Sequence, residues 1–217
     1  MGSRASFWEF LLDRYPDIIK LVGEHLQITG IAVFFAIIVG VPVGIFITRY
    51  TKAAQYVLGT ANVFQTLPSL ALFGLVIPFL GVGLVPSVVV LFLYALLPII
   101  KNTYIGITNV DPAAIEAGRG MGMKNREILS MVEIPLALPV IMAGIRISTV
   151  INIGTATIAS LIGAGGLGDF IFKGISMYNN NYLLAGAIPT AILALSVDAI
   201  LGYFEYHITP KGMREAN

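Results

Sequence analysis

From Ala53 to Ile100 the chain carries no charged residue. Only about 20 consecutive apolar residues are needed to cross a bilayer core, so a run of this length does not belong to a soluble core. The whole chain has the same bias: 57% of its residues are hydrophobic and 12% charged, against roughly 25% charged in an average soluble domain. A formal net charge of +1 argues against nucleic acid as a partner, since phosphate backbones call for clustered basic charge. With no cysteine, disulfides and thiolate metal sites are ruled out, and no metal site is expected. Trp8 to Glu24 is too charged for the apolar part of a cleaved signal, so the spans themselves are expected to direct insertion.

The pattern predicts an all-α integral membrane protein with five transmembrane helices, an N-terminal interfacial helix and a cytoplasmic coupling helix. Residues 1–25 mix Phe7, Trp8, Phe10, Leu11, Ile18, Ile19 and Leu21 with Glu9, Asp13, Arg14, Asp17 and Lys20. Such a segment suits a helix lying in the interface, with Trp8 and Tyr15 at headgroup level, or a solvated leader helix packed on its own bundle. The transmembrane domain covers 26–206. Its spans run from about Gln27 to Thr48, Ala54 to Phe79, Leu84 to Tyr104, Leu136 to Ile162 and Tyr182 to Tyr206, and a cytoplasmic tail occupies 207–217. Pro42, Pro68, Pro98 and Pro189 lie inside these spans, where neighbouring helices can satisfy the carbonyls that proline frees.

Lys and Arg orient the chain. With the first and third loops and the C-terminus inside, the cytoplasmic face collects Arg49, Lys52, Lys101, Arg119, Lys124, Arg126, Lys211 and Arg214, and the outer face Arg4, Arg14, Lys20 and Lys173. The bias favours N-terminus out and C-terminus in. The longest polar stretch between spans, Asp111 to Arg126, then faces the cytoplasm. It opens on Asp111-Pro112, an acidic N-cap followed by proline at the first helical position. Gly118, Gly120 and Gly122 are expected to interrupt the helix. Asn125 can cap a second helix whose Ile128, Leu129 and Val132 share an apolar face and which leads to Pro135.

This stretch resembles the EAA loop of bacterial importer permeases, written E-A-A-x3-G-x9-I-x-L-P. Glu116 and Ala117 match its opening, Gly122 its glycine, and Val132, Ile134 and Pro135 its end, while Gly118 stands where alanine is usual. The resemblance implies that Glu116, Ala117, Gly118, Gly122 and Pro135 belong to the element that touches a cytosolic ATPase, with Glu116 meeting a basic residue there. It extends through Gln65-Thr-Leu-Pro-Ser-Leu-Ala71, from Leu97 to Pro139, and through Ile162 to Phe170, and is closer to permeases for compatible solutes such as glycine betaine, carnitine and choline. By implication the chain sits multi-pass in the bacterial cytoplasmic membrane as the permease subunit of an ATP-binding-cassette importer. Its implied partners are cytosolic ATP-binding subunits, a second permease subunit (identical or related), an extracytoplasmic solute-binding protein and membrane lipid. Transport would proceed by alternating access.

No G-x4-G-K-[ST] phosphate loop occurs, so the chain is not expected to be an enzyme or to bind a cofactor; ATP and Mg would sit on the partner ATPase. Gly163-Ala-Gly-Gly-Leu-Gly168 matches G-x-G-x-x-G, but a dinucleotide site needs a preceding strand and an acidic residue about 20 positions on. These glycines are read as a turn at the outer face, with Phe170, Ile171 and Phe172 dipping into the bilayer.

Polar groups inside a bilayer mark either a pathway or helix packing. Asn62, Gln65, Thr66 and Ser69 flank Pro68, and Ser148, Asn152 and Thr155 recur along one helical face. Either group could line a solute path or serve hydrogen-bonded packing. Arg146 and Asp198 reach the inner half of the bilayer from two different spans and could pair, or Arg146 could turn to cytoplasmic water. A self-contained channel or secondary carrier is the alternative reading, against which stand the odd number of spans and the lack of a repeated hydropathy half.

Overall fold

A computed structural model describes residues 6–209, so Arg4, Lys211 and Arg214 and most of the expected tail lie outside the described residues. The described chain is all helical. In order it forms α1 (Phe7–Ile47), α2 (Thr51–Thr66), α3 (Ser69–Leu80), α4 (Leu84–Thr108), α5 (Pro112–Gly120), α6 (Asn125–Ile128), a π turn (Leu129–Glu133), α7 (Ile134–Ala159), a 3-10 turn (Ser160–Ile162), α8 (Gly168–Ser176) and α9 (Asn180–Ile208). Among the described residues four helices are long and apolar enough to cross a membrane, or five if the broken pair α2 and α3 counts as one.

Two expectations are corrected. The N-terminal segment is not a separate helix where it is described; from Phe7 onward it is continuous with the first span, giving a helix of 41 residues. At 1.5 Å per residue that is about 60 Å, roughly twice the hydrocarbon thickness, so α1 must project well beyond the core. The span expected over Ala54 to Phe79 is broken at Leu67-Pro68. Proline disfavours the α conformation in the residue before it, and Pro68 stands as the extended N-cap of α3 with ψ 130°.

Pro98 behaves differently, remaining inside α4. It cannot donate to the Tyr94 carbonyl four residues back. Gln65 Nε2 donates to that oxygen at 3.0 Å, so the carbonyl that proline frees is not left unpaired.

The contacts divide into two compact units, described separately. The first takes the chain up to Phe34, Leu67–Phe92 and Thr149–Val197. In it Leu21, Leu167, Phe170 and Ala185 form a core against which Phe7, Phe10, Leu11 and Ile18 pack. Tyr182 meets Phe10 and Phe170 edge-on, with ring centroids 4.7 and 5.4 Å apart. The apolar side chains of the N-terminal segment are thus spent partly on protein. Phe170, expected to dip into the bilayer, is 7% exposed and belongs to this core. The glycine segment turns through positive φ at Gly163, Gly165 and Gly166. It is held to α1, where Glu24 accepts from the Gly166 N–H at 3.0 Å; beside Glu24, the buried His25 has its Nε2 2.9 Å from the Ile153 carbonyl of α7.

The second unit takes Phe35–Thr66, Leu93–Ser148 and the chain from Asp198. Ile47, Ala54 and Ile100 form its core with Val43, Leu96 and Tyr104 around them. Gly144 lets α7 press directly on α4: a Cβ there would stand 2.5 Å from Asn102 Cβ and 2.8 Å from the Pro98 carbonyl oxygen.

Candidate functional site

The polar stretch lies in the second unit and is built as follows. Asp111 Oδ1 accepts from the Ala113 N–H at 2.9 Å, and Pro112 fills the first helical position. α5 then continues through Gly118, which does not interrupt it, and ends at Gly120. The cost of glycine in a helix, roughly 0.5–1 kcal/mol, is opposed here by packing. Gly118 is buried, and a Cβ on it would lie 3.3 Å from Met123 Sδ and 3.5 Å from Ile128 Cγ1. The turn comes at Gly122, with φ +83°, a left-handed conformation that glycine takes without strain. Asn125 does not cap the next helix. Lys124 is the N-cap, and its N–H donates to Glu127 Oε2 at 2.6 Å.

α6 is one turn long and passes without a break through the π turn into α7, so the second helix expected from Asn125 runs on as one helical segment, Asn125–Ile162. Glu116 and Ala117 project from α5 as exposed residues, and Glu116 makes no ion pair or side-chain hydrogen bond among the described residues. Pro135, partly buried, is the second residue of α7.

One ion pair at this site had no sequence expectation behind it. Arg49 Nη2 donates to Glu133 Oε2, and the Glu133 side chain is 4% exposed. Together with Ile115, Arg119, Asn125 and Ile128 these two line a cavity of about 270 Å³. The available signal was a carboxylate set among Val132, Ile134 and Pro135, which needs a cation if it is to be buried.

The polar groups of the broken second span are placed unevenly. Asn62 and Thr66 are exposed, Thr66 Oγ1 donating to the Val63 carbonyl at 2.8 Å, while Gln65 and Ser69 are half-buried, Gln65 on the Tyr94 carbonyl. On α7, Ser148 Oγ donates to the Ala95 carbonyl at 3.2 Å and Thr155 Oγ1 to the Ile151 carbonyl at 2.9 Å. Asn152 is fully buried, with neither amide atom hydrogen-bonded among the described residues. Arg146 and Asp198 are in direct contact through two hydrogen bonds of 2.9 Å, and Glu205 takes a third at 2.7 Å. No group of three or more metal-ligating side chains occurs among the described residues.

Comparison with known proteins adds the following. Residues 30–210 match the family described as binding-protein-dependent transport system inner membrane component. The carnitine transport permease protein OpuCB of Listeria monocytogenes is 55% identical over 95% of each chain. The glycine betaine/carnitine/choline transport system permease protein OpuCB of Bacillus subtilis (strain 168) is 50% identical over 94% of each. The choline transport system permease protein OpuBB of the same strain is 48% identical over 95% of each. Among solved structures, an inward-facing MetNI methionine ABC transporter chain superposes with a TM-score of 0.81 at 25% identity, covering 89% of this chain and 96% of that one.

Proposed function

Since the chain belongs to the family of binding-protein-dependent transport system inner membrane components, and so is a multi-pass inner-membrane protein, we propose that it is the permease subunit of an ATP-driven importer of quaternary ammonium compatible solutes: glycine betaine, carnitine or choline. Five spans cross the membrane, α2 and α3 acting as one broken span, with the N-terminus outside and the C-terminus inside. Asp111–Pro135 faces the cytoplasm and seats on an ATPase subunit that carries ATP and Mg. A second permease subunit completes the conduit, and a solute-binding protein delivers cargo from outside.

The observation that carries this reading is α5 itself. It is a capped helix whose exposed Glu116 has no internal partner among the described residues. A carboxylate held out on a short rigid helix is available to a basic groove on another protein. Support for the cargo comes from the relatives, whose names give carnitine, choline and glycine betaine transport at 48% to 55% identity over nearly the whole chain.

In this mechanism ATP binding draws the ATPase subunits together, α5 moves with them, and the two permease subunits open outward; hydrolysis resets the inward state. The test is uptake of labelled glycine betaine, carnitine and choline by proteoliposomes holding the permease, its ATPase and its binding protein. Accumulation that requires ATP and the binding protein is expected for at least one solute. Accumulation that survives ATP depletion would refute the proposal.

A further inference from the structure

Glu133 closes the π turn, and the cause of that turn lies two residues on. Pro135 has no N–H to give the Met131 carbonyl, and in a regular α turn its ring would crowd that oxygen. The chain widens instead, and the Ile134 N–H donates five residues back to the Leu129 carbonyl. A π turn inserts one extra residue, so Glu133 sits about 100° around the axis from where an unbroken α-helix would put it. There it is buried, and it meets Arg49 in the turn that follows α1.

The contacts form a chain within the second unit. α5 packs through Gly118, where a Cβ would lie 3.5 Å from Ile128 Cγ1 and 3.8 Å from Val132 Cγ2. Val132 adjoins Glu133 in the π turn, Glu133 holds Arg49, and the Arg49 N–H is tied to the Phe46 carbonyl of α1 at 3.2 Å. A buried carboxylate that loses its ion partner keeps the penalty of desolvation, so this joint resists being pulled apart.

We propose that the Arg49–Glu133 ion pair is the strut through which displacement of α5 reaches α1, making Arg49 and Glu133 positioning residues that couple ATP hydrolysis to solute movement. The inference rests on reading Asp111–Pro135 as the ATPase-contacting element.

The test uses the complete transporter in proteoliposomes, with labelled glycine betaine, and reads solute moved per ATP hydrolysed alongside the amount of ATPase bound to the permease. Glu133→Gln and Arg49→Gln should bind ATPase as the wild type does while the ratio falls about tenfold. Pro135→Ala, which lets the π turn tighten, should lower the ratio in the same direction. The reversed pair, Arg49→Glu with Glu133→Arg, should recover it to within about threefold. If the single variants fold poorly, Arg49→Met with Glu133→Met decides the matter. Replacing both charges by apolar chains of similar volume generally preserves stability, so this protein should fold and still be uncoupled. A wild-type ratio in the double methionine variant at normal thermal stability overturns the strut. So does loss of ATPase binding in the single variants, because the pair would then serve docking. Failure of the parent reading looks different: the Glu116→Lys permease would hold its ATPase as tightly as the wild type.

Discussion

Arg146 on α7 holds Asp198 on α9 with two parallel hydrogen bonds, Nε to Oδ1 and Nη2 to Oδ2, each 2.9 Å long. Its remaining Nη1 donates to Glu205 Oε2 at 2.7 Å, so one guanidinium serves two carboxylates. A forked, planar donor set is what this arrangement requires, and lysine cannot reproduce it.

Removing the arginine should therefore harm the protein more than removing either acid. Arg146→Gln leaves two carboxylates facing each other, whereas Asp198→Asn keeps Glu205 on the guanidinium. A hydrogen bond to a charged group is worth about 1.5–3 kcal/mol. With the three side chains between a fifth and about a third exposed, the lower end applies, so Arg146→Gln should cost about 2 kcal/mol. Thermal unfolding of the purified permease in detergent checks the order, and recovery in the charge-swapped pair Arg146→Asp with Asp198→Arg checks its origin. A lower midpoint for Asp198→Asn than for Arg146→Gln would contradict this account.

Glu116→Lys should insert and fold as the wild type does, because Glu116 has no internal partner among the described residues to lose. At the proposed contact with a basic groove on the ATPase, the new lysine turns attraction into repulsion. Affinity for the ATPase should drop roughly tenfold or more, a change of at least about 1.4 kcal/mol. Co-purification and titration of the ATPase onto the permease measure it; unchanged affinity at normal expression would remove Glu116 from the contact.

Two glycine-to-alanine changes should move in opposite directions. At Gly144 the added methyl meets Asn102 and the Pro98 carbonyl, and overpacking of this kind costs about 1–3 kcal/mol. At Gly120, the last residue of α5, it meets nothing within 4 Å, and exchanging a helical glycine for alanine adds at most about 0.5–1 kcal/mol. Unfolding midpoints below the wild type for the first and at or above it for the second are the expected pair of results.

Asp169, at the start of α8, has its carboxyl pushed above the usual range, first by burial and then by the charge of Glu24, with Lys20 opposing. A carboxyl whose folded pKa lies above its unfolded one is better accommodated protonated, so its contribution to stability is present at low pH and lost as pH rises through the interval between the two values. Asp169→Asn should therefore raise the unfolding midpoint at neutral pH, and the difference from the wild type should shrink as pH falls below the ordinary carboxylate range. A difference that grows on acidification would show that the shift has the opposite sign.

Much of the architecture is legible along the chain because it depends on near neighbours. Apolar runs locate the long helices, though not where α1 begins or where the second span breaks, and Asp111-Pro112 announces the start of α5 by capping chemistry alone. Legibility fails where one residue type has two outcomes. Pro68 breaks its span while Pro98 stays inside α4, where Gln65, 29 residues away in sequence, satisfies the freed Tyr94 carbonyl. Likewise Gly118 reads as a helix breaker, yet α5 runs through it, packed on Ile128, and ends only at Gly120.

The sequence by itself determined that this chain is of the membrane-spanning kind, where its apolar segments fall, and that Asp111–Arg126 is a polar stretch between them. Those properties follow from composition and from periodicities of a few residues. Only the tertiary structure decided which polar groups find each other: Glu133 with Arg49, Glu205 as the second acid on Arg146, Glu24 on the Gly166 N–H. A buried charge or amide must be matched wherever it lies, but the partner is whichever group the packed helices bring within about 3 Å, and that choice is made by distance in space.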